Sequence, residues 1–224
     1  DSAAAQPGAG AGFDRAVLGN IGRDPGASEA RPLKMSRSNA MVAAIAVGTP
    51  PQAMQCLLDS GSSDLWVPSM RCKDCENENH FRADESSTFV AQVRDTPYGP
   101  RPVPVRVTYG SGEVMGYPAQ DTVSMGGVTM TNQSFIIVEA ASLPPHRTWD
   151  GICGLGWTRM ASAGKPFYKR LQAAGQPAVF SLVPTSDQEA YIMVGEVPDA
   201  ACRPGSLVWA PAEPVSQGAP MSFW

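Results

Sequence analysis

Alternation of apolar and polar residues constrains this chain more than any other feature. Val103, Val105, Val107 and Tyr109 alternate with Pro104, Arg106 and Thr108. Period two is the pattern of a strand with one apolar face. The pattern runs into Tyr109-Gly110-Ser111-Gly112 and then Val114-Met115-Gly116-Tyr117, which reads as a hairpin with a glycine-rich tip. Asp121 to Met125 and Val128 to Met130 flank Gly126-Gly127, a second two-residue hairpin turn, and Ser134 to Val138 is a further strand. Val179 to Val183, Tyr191 to Val194 and Leu207 to Ala210 read as short strands. One helix is expected, with Pro166 in its first turn, a stripe of Phe167, Leu171 and Ala174, and Gly175 to stop it. A second helical turn or two would fit Phe13, Val17, Leu18 and Ile21, where Gly19 and Gly22 argue against more. The 22 Gly and 21 Pro, about a fifth of the chain, suit many strands and turns rather than a helical protein. The fold class is therefore all-β, with one or two short helices.

Composition removes several functions. The 224 residues, 43% hydrophobic and 17% charged, suffice for a sizeable core in one large domain or two small ones. A net charge of −4 and a pI near 5.2 leave no electrostatic footprint for nucleic acid. Met41 to Val47 is the longest clean apolar run, far short of the ~20 residues of a membrane span. No signal peptide is visible. His80 and His146 lie apart in polar surroundings, so no metal site is expected, and no Gly-x-Ser-x-Gly or phosphate loop occurs. No internal repeat is found. Five cysteines leave at least one unpaired. Cys72 and Cys75 stand in a polar loop, where Cys-x-x-Cys is either a bridge or a redox or metal pair; without a second such pair or a following helix, the disulfide is favoured. Cys56 and Cys153 read as buried small hydrophobes and Cys202 as the exposed thiol.

Chemistry concentrates in one run. Met54 to Leu58 reads as a buried strand, and Asp59 sits where it ends in a turn of small residues. A carboxylate there is hard to explain by packing, although an Asp can simply cap a turn. Gly61 allows a tight turn that brings backbone N–H groups to the carboxylate, and Ser60, Ser62 and Ser63 supply hydroxyl donors. Leu65-Trp66-Val67 then returns to an apolar strand. The run from Leu57 to Pro68 resembles the active-site loop of the pepsin family of aspartic endopeptidases: two hydrophobic residues, Asp-Thr/Ser-Gly-Ser-Ser, then Leu-Trp-Val-Pro. Other segments follow the same family. Ala44 to Gln52 resembles its first hairpin, and Phe81 to Phe89 its Ser-Ser-Thr-Phe loop, with Ala83 in place of a proline. Tyr109 to Gly112 resembles the flap, Trp149 to Gly156 the Phe-Asp-Gly-Ile segment, and Gly205 to Trp209 the approach to the lobe junction.

The resemblance implies a pepsin-like acid-protease lobe of packed antiparallel sheets, and hydrolysis of peptide bonds by two carboxylates and one water, with no cofactor. Asp59 is then the first catalytic Asp. Ser60 and Gly61 support its loop, and Ser62 hydrogen-bonds its outer oxygen. Gly110, Ser111 and Gly112 form a mobile flap, and Tyr109 walls the pocket with its hydroxyl toward the indole of Trp66. Ile152 lines the same pocket, while Asp150 is a turn residue. The small Cys72–Cys75 loop also falls where the family closes one.

A second Asp-Thr/Ser-Gly is absent, since Asp121-Thr122-Val123 lacks the glycine. The expected organisation is an extension or activation-segment remnant over 1–31, an amino-terminal lobe over 32–212, and the start of the inter-lobe connection over 213–224. Three arrangements follow: the half of a two-lobed endopeptidase, a self-dimer as in the retroviral enzymes, or a non-catalytic subunit of a larger assembly. Intact Asp59, Ser62, Tyr109 and flap glycines favour the first. The expected partners are a peptide or protein substrate and a second lobe or partner protein over the cleft face. Met221, Phe223 and Trp224 would add apolar area to the surface so covered. The chain alone is expected to be inactive. The cysteine pair and the sequon Asn132-Gln133-Ser134 point to the secretory pathway, the extracellular space or an endosomal or vacuolar lumen. Alkylation of unreduced protein followed by mass spectrometry should leave Cys72 and Cys75 unmodified; two alkylated thiols there would refute the bridge.

Overall fold

The computed structural model describes residues 33–36, 41–72, 74–76, 79–184, 190–195, 197 and 202–211. The expectations for 1–31 and 213–224, with the turn at Phe13 to Ile21 and the apolar Met221, Phe223 and Trp224, lie outside them. Eleven strands are formed by the described residues: β1 (Leu33–Ser36), β2 (Val42–Val47), β3 (Gln52–Asp59), β4 (Leu65–Pro68), β5 (Val90–Ala91), β6 (Val105–Tyr109), β7 (Gly112–Met125), β8 (Val128–Ser142), β9 (Gly151–Gly154), β10 (Phe180–Pro184) and β11 (Ala190–Val194). One α-helix, α1 (Phe167–Ala173), and 3₁₀ turns at Ala83–Glu85 and Thr158–Met160 complete them. The chain is all-β, as its periodicity predicts.

Most strand pairs are antiparallel, but β3 pairs β9 and β4 pairs β8 in parallel. The path β2-β3-β9-β4-β8-β7 closes on itself because Val47 and Ala46 of β2 pair with Val123 and Ser124 of β7. Closure removes free edges from these six strands over the paired lengths. Their inward residues fill the ring: Val47, Met54, Cys56, Leu58, Val67, Val123, Phe135 and Cys153 are all buried in one cluster. Phe135 is fully buried and edge-on to both Phe81 and Phe89. A second cluster, built on Trp66, Val114, Ile136, Val138 and Ile152, lies against the Cys72–Cys75 disulfide.

The long strands β7 and β8 join segments that read as separate in the sequence. Register shifts at Met115/Gly116 and at Asp121/Val123 bend them without interrupting the ladder. β6 begins at Val105, after Pro104, which has no N–H to give. Asp121, fully buried, accepts from Ser86 Oγ, Thr88 Oγ1 and the Thr122 N–H, so the Ser86 to Phe89 loop is pinned to β7. Helix α1 starts after Pro166 and stops before Gly175, whose φ of 73° is left-handed. Its buried residues are Phe167, Tyr168 and Leu171. Ala174, expected on the stripe, is exposed because the helix ends one residue earlier. Leu207 to Ala210 is not a strand: it pairs with no other described strand, and Trp209 is 71% exposed. Apolar residues make a ladder only where an edge is offered to them.

Phe135→Ala should cost about 3–5 kcal/mol, the range for truncating a buried aromatic that leaves a cavity. A urea-unfolding midpoint that barely moves would show that the ring of aromatic contacts is not a stabilising centre.

Candidate active site

Asp59 is the last residue of β3 and pairs in parallel with Gly154 of β9. Its side chain is half-buried, with Ser60 and Gly61 exposed beside it. The Gly61 N–H donates to Asp59 Oδ1 at 2.8 Å, and the Leu155 N–H donates to the Asp59 carbonyl at 2.8 Å. The turn is thus fixed at both its carboxylate and its backbone. Residues 62–64 then lie against 154–157. Gly156 N donates to the Ser62 carbonyl at 2.7 Å, Gly154 N to the Asp64 carbonyl at 3.0 Å, and Ser63 Oγ to the Trp157 carbonyl at 2.6 Å. A Cβ on Gly154 would stand 2.5 Å from the Ser63 carbonyl carbon, so only glycine permits this approach.

Ser62 departs from expectation. Its Oγ is buried beside the Tyr109 phenol and makes no hydrogen bond to Asp59, while its carbonyl accepts the Gly156 N–H. Tyr109 closes β6, and its pairing with Gly112 leaves Gly110 and Ser111 as a two-residue tip, both exposed. Trp66 Nε1–H donates to Tyr109 Oη at 2.9 Å. Burial pushes the Tyr109 phenol well above its ordinary range, the Trp66 hydrogen bond opposing and the charges of Asp64 and Asp59 adding to the shift. Trp66, fully buried, meets Trp149 edge-on at 6.0 Å between ring centres. Ile152, 3% exposed, pairs with both Leu57 and Trp66, and Leu143 packs on the same apolar cluster. The structure therefore brings Asp59, Ser62, Trp66, Tyr109 and Ile152 to one side of the β3–β9–β4 junction, with the Gly110–Gly112 tip extending from Tyr109.

Two buried acids hold this region together, and neither stood out in the sequence. Asp150 is 3% exposed; its Oδ2 accepts the Gln55 N–H at 2.8 Å and Asn79 Nδ2 at 2.9 Å. Asp150 is more than a turn residue, since it ties β3 to the segment before Phe81. Asp64, 4% exposed, accepts the Ser162 N–H on both oxygens, at 2.9 and 2.8 Å, and the Ala163 N–H on Oδ1 at 2.9 Å. Desolvation raises its carboxyl above the ordinary range, and those backbone N–H groups offset only part of the rise. Its signal was its place five residues after Asp59; its partners lie nearly a hundred residues away. Cys56 and Cys153 are buried free thiols pushed up by burial, Cys153 to about 12. Cys202 is partly exposed. Among the described residues no group of three metal-ligating side chains forms, and no helix is long and apolar enough to cross a membrane.

A lobe of this kind, with an Asp-Ser-Gly turn beside a hairpin tyrosine, has relatives. The profile of the eukaryotic aspartyl protease family matches residues 40–221, and the chain belongs to that family. It is 35% identical to pepsin A of Canis lupus familiaris over 176 residues, covering 75% of this chain and 43% of that one. Pregnancy-associated glycoprotein 2 of Sus scrofa is 34% identical over 191 residues, with 81% and 43% covered. Pepsin F of Oryctolagus cuniculus is 33% identical over 189 residues, with 80% and 46% covered. The chain spans about half the length of the curated relatives it matches.

The Asp64 geometry sets a pH dependence. The folded chain holds this proton more tightly than the unfolded one, so its contribution is fully present below the ordinary carboxylate range. That contribution is lost as the pH rises through the raised folded value. Asp64→Asn keeps an acceptor oxygen and removes the charge. Thermal midpoints of the wild type and D64N, measured from about pH 4 to pH 7, should converge at the acid end and separate in favour of D64N toward neutrality. Parallel curves would contradict this.

Proposed function

We propose that this chain supplies the first catalytic carboxylate, Asp59, of an aspartic endopeptidase whose second carboxylate comes from another lobe. The observation that carries the reading is the fixed Asp59 turn placed beside the Tyr109–Trp66 pair. Family membership supports the reaction type. Peptide-bond hydrolysis at such a site needs one ionised carboxylate to take a proton from water and one protonated carboxyl to donate to the substrate carbonyl. Aspartic-protease dyads are the standard example of like charges splitting two pKa values, and the titration belongs to the pair. Asp59 has the polar turn that such an oxygen needs, and the Gly61 N–H orients it. Water and substrate would lie between Asp59 and its counterpart, under the Gly110–Gly112 tip. An extended peptide suits the exposed backbone of that tip, and the partly exposed Leu57, Leu143 and Trp149, backed by the buried Trp66 and Ile152, suit bulky apolar side chains.

The partner in this reading is a second pepsin-like lobe over the cleft face, in the same protein. The working compartment is an oxidising lumen or the extracellular space, for which the Cys72–Cys75 disulfide is the support. Residues 32–212 are taken as the lobe, with 1–31 as extension and 213–224 as the start of the connection.

The test is an acid-pH peptide cleavage assay on three proteins: the 224-residue chain, the two-lobed protein, and its Asp59→Asn variant. The two-lobed protein should cleave between bulky apolar residues. The other two should fall by at least the roughly 10²–10⁴-fold that one proton-transfer role contributes. Undiminished cleavage by D59N would overturn the assignment of Asp59, and an inactive two-lobed protein would favour the non-catalytic subunit.

A further inference from the structure

We propose that Asn132 carries an N-linked oligosaccharide. Asn132-Gln133-Ser134 has the acceptor spacing, with a residue other than proline between. What the fold adds is the placement of each of the three residues. In the β7–β8 ladder, Val123 pairs with Met130 and Asp121 with Gln133. One residue of β7, Thr122, therefore faces two of β8, Thr131 and Asn132, which makes a bulge. Asn132 has a φ of 52°, in the left-handed region that asparagine and glycine adopt most readily.

Both flanks of the bulge are fixed inward. Met130 is 7% exposed and Gln133 fully buried, whereas Thr131 and Asn132 are exposed. Gln133 Nε2 donates to the carbonyls of Ser134 at 2.8 Å and Lys165 at 3.1 Å. Arg170 of α1 donates to the Thr131 carbonyl. With its neighbours held in this way, the Asn132 amide is directed to solvent. Strand β4 joins β8 only from Ile136 onward, so no described strand covers the outer side of the bulge.

Ser134 gives the order of events. Its side chain is buried in the folded chain, packed so close to Gly164 that a Cβ there would stand 2.6 Å from Ser134 Oγ. A transferase cannot read this hydroxyl after folding, so the sequon is used on the extended chain as it enters the lumen. The donor class is an oligosaccharide on a polyisoprenyl diphosphate. Asn132 Nδ2 forms a bond to the anomeric carbon, the bond from that carbon to the diphosphate oxygen breaks, and the diphosphate leaves with the electron pair. The amide proton goes to a base of the transferase. After folding, the bulge keeps the modified amide outside while Gln133 and Ser134 enter the core. A bulky hydrated group at this point also blunts the outer edge of β8 against pairing with another chain.

The proposal rests on the lumenal reading given above, and one experiment separates the two. The protein is expressed from its complete reading frame in cultured eukaryotic cells, and cells and medium are analysed together. Peptide mass spectrometry is run before and after an amidase that releases N-linked glycans, with the Cys72–Cys75 state read by alkylation of the same sample. Expected is an Asn132 peptide seen only after release, as the aspartate form that the amidase leaves. In Asn132→Gly, whose new residue accepts a φ of 52° without strain, the mobility shift should vanish and the disulfide persist. Unmodified Asn132 peptide with an intact disulfide would overturn the proposal and leave the compartment standing. Unmodified Asn132 together with free thiols at Cys72 and Cys75 would overturn both.

Discussion

The approach of residues 59–64 to Gly154–Gly156 is the constraint on which the rest of the structure depends. Two strands from distant parts of the chain, β3 and β9, lie parallel there, and the turn after β3 rests directly on backbone. Side chains are excluded from the glycine side of the contact, since even a methyl on Gly154 or Gly156 would collide with the main chain of Ser62 or Ser63. Backbone N–H and carbonyl groups therefore satisfy one another across the junction, as buried main chain must. Once that contact is made, Asp59 has a fixed height above the sheet, Trp66 is held beneath Tyr109, and Asp64 meets the 162–163 segment.

Carboxylates do the fastening at the periphery of this contact. Asp64, Asp121 and Asp150 are all nearly or fully buried, and none of their resolved hydrogen bonds comes from a lysine or arginine. Each collects at least two N–H or hydroxyl donors from one or two segments far away in the chain, Asp121 adding the N–H of its neighbour Thr122. Converging donors offset part of the cost of dehydrating an acid, so each acid also specifies which loop lies where.

Local features were legible and remote ones were not. Period-two alternation located β6, and paired glycines located the turns at Gly110–Ser111 and Gly126–Gly127, because both signals are carried by neighbouring residues. The helix was legible from Pro166 and Gly175, although Tyr168 replaced Ala174 in its buried face: its hydroxyl is engaged with Thr158. The parallel pairings of β3 with β9 and β4 with β8 leave no mark in either segment alone. Nor do the partners of Asp64, since nothing near Ser162 or Ala163 announces a carboxylate. Leu207 to Ala210 failed for a related reason: a strand-like composition says nothing of whether an edge is present to receive it. The Asp59 turn itself was legible, but the place of the Ser62 hydroxyl was not, because it lies beside Tyr109, forty-seven residues along the chain.

Strand β7 serves two mechanical roles. Its distal half, from Gly116 to Met125, belongs to the closed ring and is packed on both sides, while its first residues form one leg of the hairpin that ends at Gly110 and Ser111. The two halves meet at the register shift between Met115 and Gly116, where Gly116 lies so close to Ile137 and Val138 that no side chain fits. The base of the hairpin does not stand free: Glu113, Val114 and Met115 pair with Ser142, Ala141 and Ala140 of β8 on one side and with β6 on the other. Only Gly110 and Ser111 lie beyond the ladder, so the hairpin is a braced arm with a two-residue tip, and the Tyr109–Trp66 hydrogen bond fastens that arm at its last paired residue.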